Sequence, residues 1–147
     1  MKFQVRIPFV ETLGFELLRF DGGCAEIAVE ATEALLNSWG VAHGGMLMTL
    51  LDVAMAHAAR SPAQPGGDPQ PGVVTIEMKT SFLRPGQGRL VGHGQLLHRT
   101  ATMAFTEGRI LNAAGELVAT SSGTFKYLGG LPTGPDGRRV KRLNASD

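Results

Sequence analysis

The chain has 147 residues, of which 43% are hydrophobic and 18% charged, and its formal net charge is +1. That length builds one domain with a sizeable core and excludes two full ones, while the near-neutral balance excludes a nucleic-acid binder that works through a concentrated basic face. A single cysteine, Cys24, rules out an internal disulfide and a Cys-rich zinc site.

The opening stretch MKFQVRIPFVETLGFELL is interrupted by Lys2, Arg6, Glu11 and Glu16, so it lacks the apolar centre of a secretory signal and points to a cytoplasmic protein. Residues 15–20 and 24–30 flank Asp21-Gly22-Gly23 and read as two strands joined by a tight hairpin. The uncharged run from Ala34 to Leu51 has about the length of a membrane span. Asn37, Ser38, Gly40, His43, Gly44, Gly45 and Thr49 interrupt it, so it reads as a loop leading into a buried helix, and no membrane partner is expected. Residues 43–60, HGGMLMTLLDVAMAHAAR, lack proline and are rich in Leu, Met and Ala, which predicts a helix of about five turns. Between Met46 and Ala59 only Thr49, Asp52 and His57 break an apolar surface that runs all round the helix, so other structure must wrap it.

Residues 61–72 hold four prolines and three glycines and form a surface loop. Beyond it Val74, Ile76, Met78, Thr80 and Phe82 alternate with Thr75, Glu77, Lys79 and Ser81, the period of a strand with one buried face. This alternation puts Thr75 with Glu77 and Lys79, away from Ile76 and Met78. Three more strands follow at roughly 88–98, 102–111 and 116–127, with turns short enough for an antiparallel meander. Residues 1–127 thus form one α+β domain of order β-β-α-β-β-β-β. Residues 128–147, with glycines and prolines before Arg138, Arg139, Lys141 and Arg142, read as a mobile basic tail. One apolar helix and about five to six antiparallel strands pack most economically with the sheet curled around the helix. A single sheet still leaves one helix flank and its own edge uncovered, and a second copy would cover both; a homodimer is expected.

The segment Asn37-Ser38-Trp39-Gly40-Val41-Ala42-His43-Gly44-Gly45 runs straight into the predicted helix. A helix start leaves backbone N–H groups unpaired and partly positive, so the amides near Gly44 and Gly45 can bind an oxyanion or polarise a carbonyl, and glycine lets a substrate approach them. Asp52 is the only charged residue between Glu33 and Arg60. A carboxylate in an apolar helix needs a partner, a proton or a purpose, and it is either functional or bonded to a structural neighbour. Eight residues separate Gly44 from Asp52, roughly 12 Å along a helix. Two groups that far apart on one helix cannot both touch one carbonyl, so cooperation requires Asp52 of a second subunit.

The pattern Asn37-x5-His43-Gly44-Gly45-x6-Asp52, followed by the Pro/Gly loop and the strand Val73-Val74-Thr75-Ile76-Glu77-Met78, resembles hotdog-fold acyl-CoA thioesterases of the phenylacetate-degradation (PaaI-type) and hydroxybenzoyl-CoA type. The resemblance covers about residues 8–127. It implies a hotdog fold, a dimer with one continuous sheet, and pairing of dimers into tetramers. It implies further that the Gly44 amide polarises the thioester carbonyl, that His43 and Asn37 hold the thioester, and that Asp52 of the neighbouring subunit acts as nucleophile or general base. Thr75 falls where that family often places a Ser or Thr to position the carboxylate or water.

Trp39 is expected to pack the loop before His43 or to wall the acyl pocket. Met46, Met48 and Met55 read as core filler or as the lining of an acyl tunnel, and Phe82 and Gly45 join the substrate contacts. His57, His93 and His98 form no ligand pair, so neither a metal nor any cofactor beyond the substrate's own coenzyme A is expected. Arg60, Lys79, Arg84, Arg89 and Arg99 are the candidates for the coenzyme's phosphates. The chain lacks a Gly-x-Ser-x-Gly elbow and the nucleotide-binding glycine motifs. The expected reaction is hydrolysis of an acyl-CoA to the free acid and coenzyme A. The alternative is a module of the same fold that binds acyl-CoA without cleaving it.

Overall fold

Pro8 supplies the fixed φ of a first helical turn, and Gly14, at φ 72°, supplies the left-handed residue that stops it. Between them lies α1 (Pro8–Leu13), a short helix that the hydrophobic pattern did not reveal although both of its end signals stand in the sequence. The computed structural model describes residues 1–129 and 142–147. After α1 come β1 (Glu16–Asp21), β2 (Cys24–Glu30), a 3-10 turn (Glu33–Leu35), α2 (Gly44–Arg60), β3 (Gly72–Phe82), β4 (Arg89–Arg99), β5 (Met103–Asn112) and β6 (Leu117–Leu128). The hairpin expected at Asp21-Gly22-Gly23 forms, with Asp21 opposite Cys24 and both glycines at positive φ.

All strands join one antiparallel sheet in the order β1-β2-β4-β5-β6-β3. The meander expected of the last three strands forms as β4-β5-β6, and β3 pairs with β6 and not with β4. The reason is the helix: α2 and the loop after it carry the chain from β2 across the sheet, so β3 begins beyond β6 and becomes an edge.

The sheet wraps α2 closely because its strands carry glycines where the helix lies nearest. A Cβ on Gly92 would meet the Leu50 side chain at 2.9 Å, one on Gly108 the Leu51 side chain at 3.1 Å, and one on Gly123 the Met55 side chain at 3.0 Å. At Gly94 the obstacle is the helix backbone itself, at Ala54 and Met55. These four positions form a trough into which Leu47, Leu50, Leu51, Ala54, Met55 and Ala58 are buried. Each large side chain so buried contributes about 1.5–3 kcal/mol.

The wrap is incomplete. Gly45, Met48, Thr49, Asp52, Val53 and Ala56 remain exposed or half-buried, and their three-and-four spacing draws one open stripe along α2. It runs beside the edge strand β3, where Ile76, Phe82 and Leu83 are exposed as well. The uncovered flank read from the sequence is this stripe.

Of the segment expected to be a mobile tail, Leu128 closes β6 and residues 130–141 lie outside the described residues. Residues 142–147 return to the amino-terminal segment, where Asn144 bridges to Val5. No helix among the described residues is long and apolar enough to cross a membrane.

Candidate active site

Asn37 shapes the approach to α2. Its backbone N–H donates to the Val41 carbonyl at 2.8 Å, and its side-chain oxygen accepts from Trp39 N–H at 2.9 Å and Val41 N–H at 3.4 Å. The turn closes through Gly40 at φ 73°. It leaves the Asn37 carboxamide NH2 without an acceptor among the described residues. The same turn throws the Trp39 indole outward, 88% exposed. Trp39 therefore does not pack the loop of its own chain, contrary to the first of the two readings given above.

His43 is the N-cap of α2: its Nδ1 accepts from the Gly45 N–H at 2.9 Å. An accepting Nδ1 fixes the neutral ring with its proton on Nε2. The cap also separates the two amides that the sequence left equivalent. Gly45 N–H is consumed by His43, whereas Gly44 N–H has no acceptor among the described residues. Gly44 thus has the free amide of the pair among the described residues, and Gly45 lets the imidazole fold back, since a Cβ there would sit 3.0 Å from Nδ1. Asn37, Gly44, Leu47, Phe82 and Arg84 line an open groove of about 340 Å3. Phe82 forms its wall beside Gly44, 3.6 Å from where a Cβ would stand.

Two turns along α2, Asp52 receives a hydrogen bond from the Thr75 hydroxyl at 2.6 Å. The strict alternation of β3 had turned Thr75 away from the helix. A β-bulge between Thr75 and Glu77 corrects this: Thr75 pairs with Phe125 and Glu77 with Thr124, so Ile76 is an extra residue. The insertion reverses the side-chain parity and puts Thr75 on the helix-facing side with Met78. Burial raises the Asp52 carboxyl above its ordinary range, and the Thr75 hydroxyl, by bonding the charged form, partly opposes the rise. Thr75→Val is therefore expected to move the acid limb of any activity that needs ionised Asp52 to higher pH, as a pH–rate profile would read.

The remaining candidates divide cleanly. Met46 is buried in the core, and Met55 likewise; Met48 lies half-buried on the open stripe. Arg84 is held by Glu116 at 3.7 Å and the Leu117 carbonyl at 2.8 Å. Arg89 bridges Glu16 and Glu30, Arg99 lies 4.8 Å from the Tyr127 ring, and Arg60 is buried. His93 faces Glu26 at 3.5 Å, and His98 stacks on Phe105. Among the described residues no group of three or more His, Cys, Asp or Glu is placed to hold a metal ion.

A helix sheathed by one antiparallel sheet, with a free amide at its start and a carboxylate on its open side, defines a hotdog-fold protein with the equipment for acyl transfer. The family model of the thioesterase superfamily matches residues 40–119, more than half of the chain, and the protein belongs to that superfamily. Among its relatives is the acyl-coenzyme A thioesterase PaaI of Escherichia coli, 29% identical over 126 residues, which are 84% of this chain and 85% of that one. The solved structure of that PaaI, a protein from the phenylacetic acid degradation operon, superposes with a TM-score of 0.74 at 27% identity, covering 83% of this chain and 85% of the other. The conserved protein PA5202 of Pseudomonas aeruginosa superposes with a TM-score of 0.75 at 28% identity, covering 85% and 97%. The protein is accordingly a PaaI-like thioesterase.

Proposed function

We propose that the protein hydrolyses acyl-CoA thioesters to a free carboxylic acid and coenzyme A, in a site built jointly by two copies of the chain. The observation that carries this reading is the separation of two reactive groups on one helix. Gly44 N–H and the Asp52 carboxylate are about 12 Å apart along α2, yet each is prepared for chemistry, one left unbonded and the other desolvated and held by Thr75. An antiparallel partner helix laid on the open stripe brings Asp52 of the second copy opposite Gly44 of the first, and the two-fold axis then passes at the midpoint, Met48. The same contact covers the exposed edge of β3.

In this site the thioester carbonyl oxygen accepts from Gly44 N–H, where the helix N-terminus stabilises the charge that develops on it. The Asn37 carboxamide NH2 and the His43 Nε2–H supply further donors at the mouth. Asp52 of the other subunit either takes a proton from a water that adds to the carbonyl carbon or attacks that carbon itself. Collapse of the tetrahedral adduct breaks the C–S bond, and the thiolate of coenzyme A leaves and takes up a proton; where Asp52 is the nucleophile, water then cleaves the mixed anhydride so formed, releasing the acid and restoring the carboxylate. Met48 and Phe82 face the space left for the acyl group.

Thiol release from a panel of aromatic and aliphatic acyl-CoA substrates tests the reaction. Absence of turnover together with tight binding would favour the acyl-CoA-binding module instead. The shared site is tested by mixing two inactive variants, Gly44→Val and Asp52→Asn, after unfolding and refolding. Mixed dimers hold one site with both groups intact, so about a quarter of wild-type activity should return. No recovery, with mixed dimers shown to form, would refute a site shared between subunits.

A further inference from the structure

Arg60 ends α2 and is only 4% exposed. Its Nε is buried with no acceptor among the described residues. A guanidinium stripped of water ordinarily regains that loss from a carboxylate or a phosphate. Among the described residues, those around it supply neither. The Phe20 ring lies 6.0 Å from the guanidinium. His57, one turn earlier, has its Nδ1 2.8 Å from the Val53 carbonyl and packs edge-on against Phe3 and Phe20. Burial pushes that imidazole down to about 4, so it is neutral at pH 7.

Among the described residues, the further charge that reaches Arg60 is positive. Arg142 comes from the carboxyl-terminal segment that Asn144 ties to Val5, and its Nη1 lies 3.4 Å from where a Cβ on Gly72 would stand. Burial first, and then the Arg142 charge, push Arg60 down to about 10, and no acidic group among the described residues acts on Arg60, Arg142 or His57.

We propose that the carboxyl-terminal end of α2 is an oxyanion-binding site, in which Arg60 and Arg142 together hold a phosphate group. Guanidinium forks match phosphate oxygens in charge and geometry, and Arg60 is already fixed in place by packing. The site is separate from the reaction centre: Arg60 follows Asp52 by eight residues, about 12 Å along the axis, and Gly44 by sixteen, about 24 Å. The phosphate is either free in solution or the 3′-phosphate of coenzyme A; only the second source rests on the function proposed above.

The test is thermal unfolding of the full chain in rising sodium phosphate, against sodium chloride at matched ionic strength. Wild type should show a saturable rise in Tm of several degrees at about 100-fold excess over Kd. Arg142→Met, at an exposed side chain, should abolish the rise, and so should Arg60→Met, which keeps an apolar stem in the core. Coenzyme A and 3′-dephospho-coenzyme A in the same assay separate the sources. A larger shift with coenzyme A, lost in Arg142→Met, assigns the site to the 3′-phosphate, and equal shifts alongside a phosphate response assign it to free phosphate. A phosphate effect no greater than that of chloride, or one that persists in both Met variants, would overturn the proposal. The phosphate arm needs no catalysis, so its result stands whether or not the protein cleaves acyl-CoA.

Discussion

Asp52→Asn is expected to lower turnover roughly 10²–10⁴-fold, the range for loss of a general base, without lowering the Tm at neutral pH. The two halves of that expectation have one cause. Burial raises the Asp52 carboxyl in the folded protein, so the folded state binds this proton more tightly than the unfolded state does. Such a group adds stability below its unfolded pKa and loses that contribution as pH rises through the folded one. Once ionised, the carboxylate is therefore a destabilising presence on α2. Asparagine has the same shape and can still accept from Thr75, but it neither takes a proton nor attacks a carbonyl. Activity and Tm measured together across pH would show the trade. A fall in Tm to match the fall in rate would mean that Asp52 supports the fold, and full activity in the variant would remove it from the mechanism.

Gly94→Ala is expected to cost about 3 kcal/mol or more and to lower the Tm by roughly 10 °C. The added methyl would collide with the backbone of α2 at Ala54, and it would stand 2.8 Å from Met55 N. Neither a helix carbonyl nor a strand hydrogen-bonded on both sides can turn aside as a side-chain rotamer can. Gly108→Ala meets the ends of Leu51 and Met55 at 3.1 Å, which can shift, so its cost should be smaller. Gly129→Ala has nothing within 4 Å and serves as the control. Thermal melts of the three variants should fall in that order, and a Gly94→Ala protein as stable as the Gly129→Ala control would show that the sheet sits further from the helix.

Much of the molecule was legible before any coordinates because its signals are local. Gly22-Gly23 names its own turn, the proline-free Leu/Met/Ala run names α2, and a lone Asp within it marks a candidate site. What escaped depends on pairs far apart in the chain. The pairing of β3 with β6 is decided by which side of the sheet the chain reaches after α2, and no period in β3 encodes that. The bulge at Ile76 is visible only against Phe125 and Thr124, so a strand read by itself assigned Thr75 to the wrong face. The distinction between the Gly44 and Gly45 amides turns on a rotamer of His43. The glycine trough did leave a trace, Gly92-x-Gly94 in a strand, since glycine inside a strand often marks a close approach of other backbone.

The extra residue in β3 also bears on how such a site changes by descent. Loss of the single codon for Ile76 would remove the bulge without turning either neighbour: Thr75 would still stand opposite Phe125 and Glu77 opposite Thr124, so strict alternation would return with the hydroxyl still facing the helix. A threonine two residues before the methionine in such a chain would thus hold the place that Thr75 holds three residues before Met78, and the partner across the strand, not the spacing along it, is the character to compare.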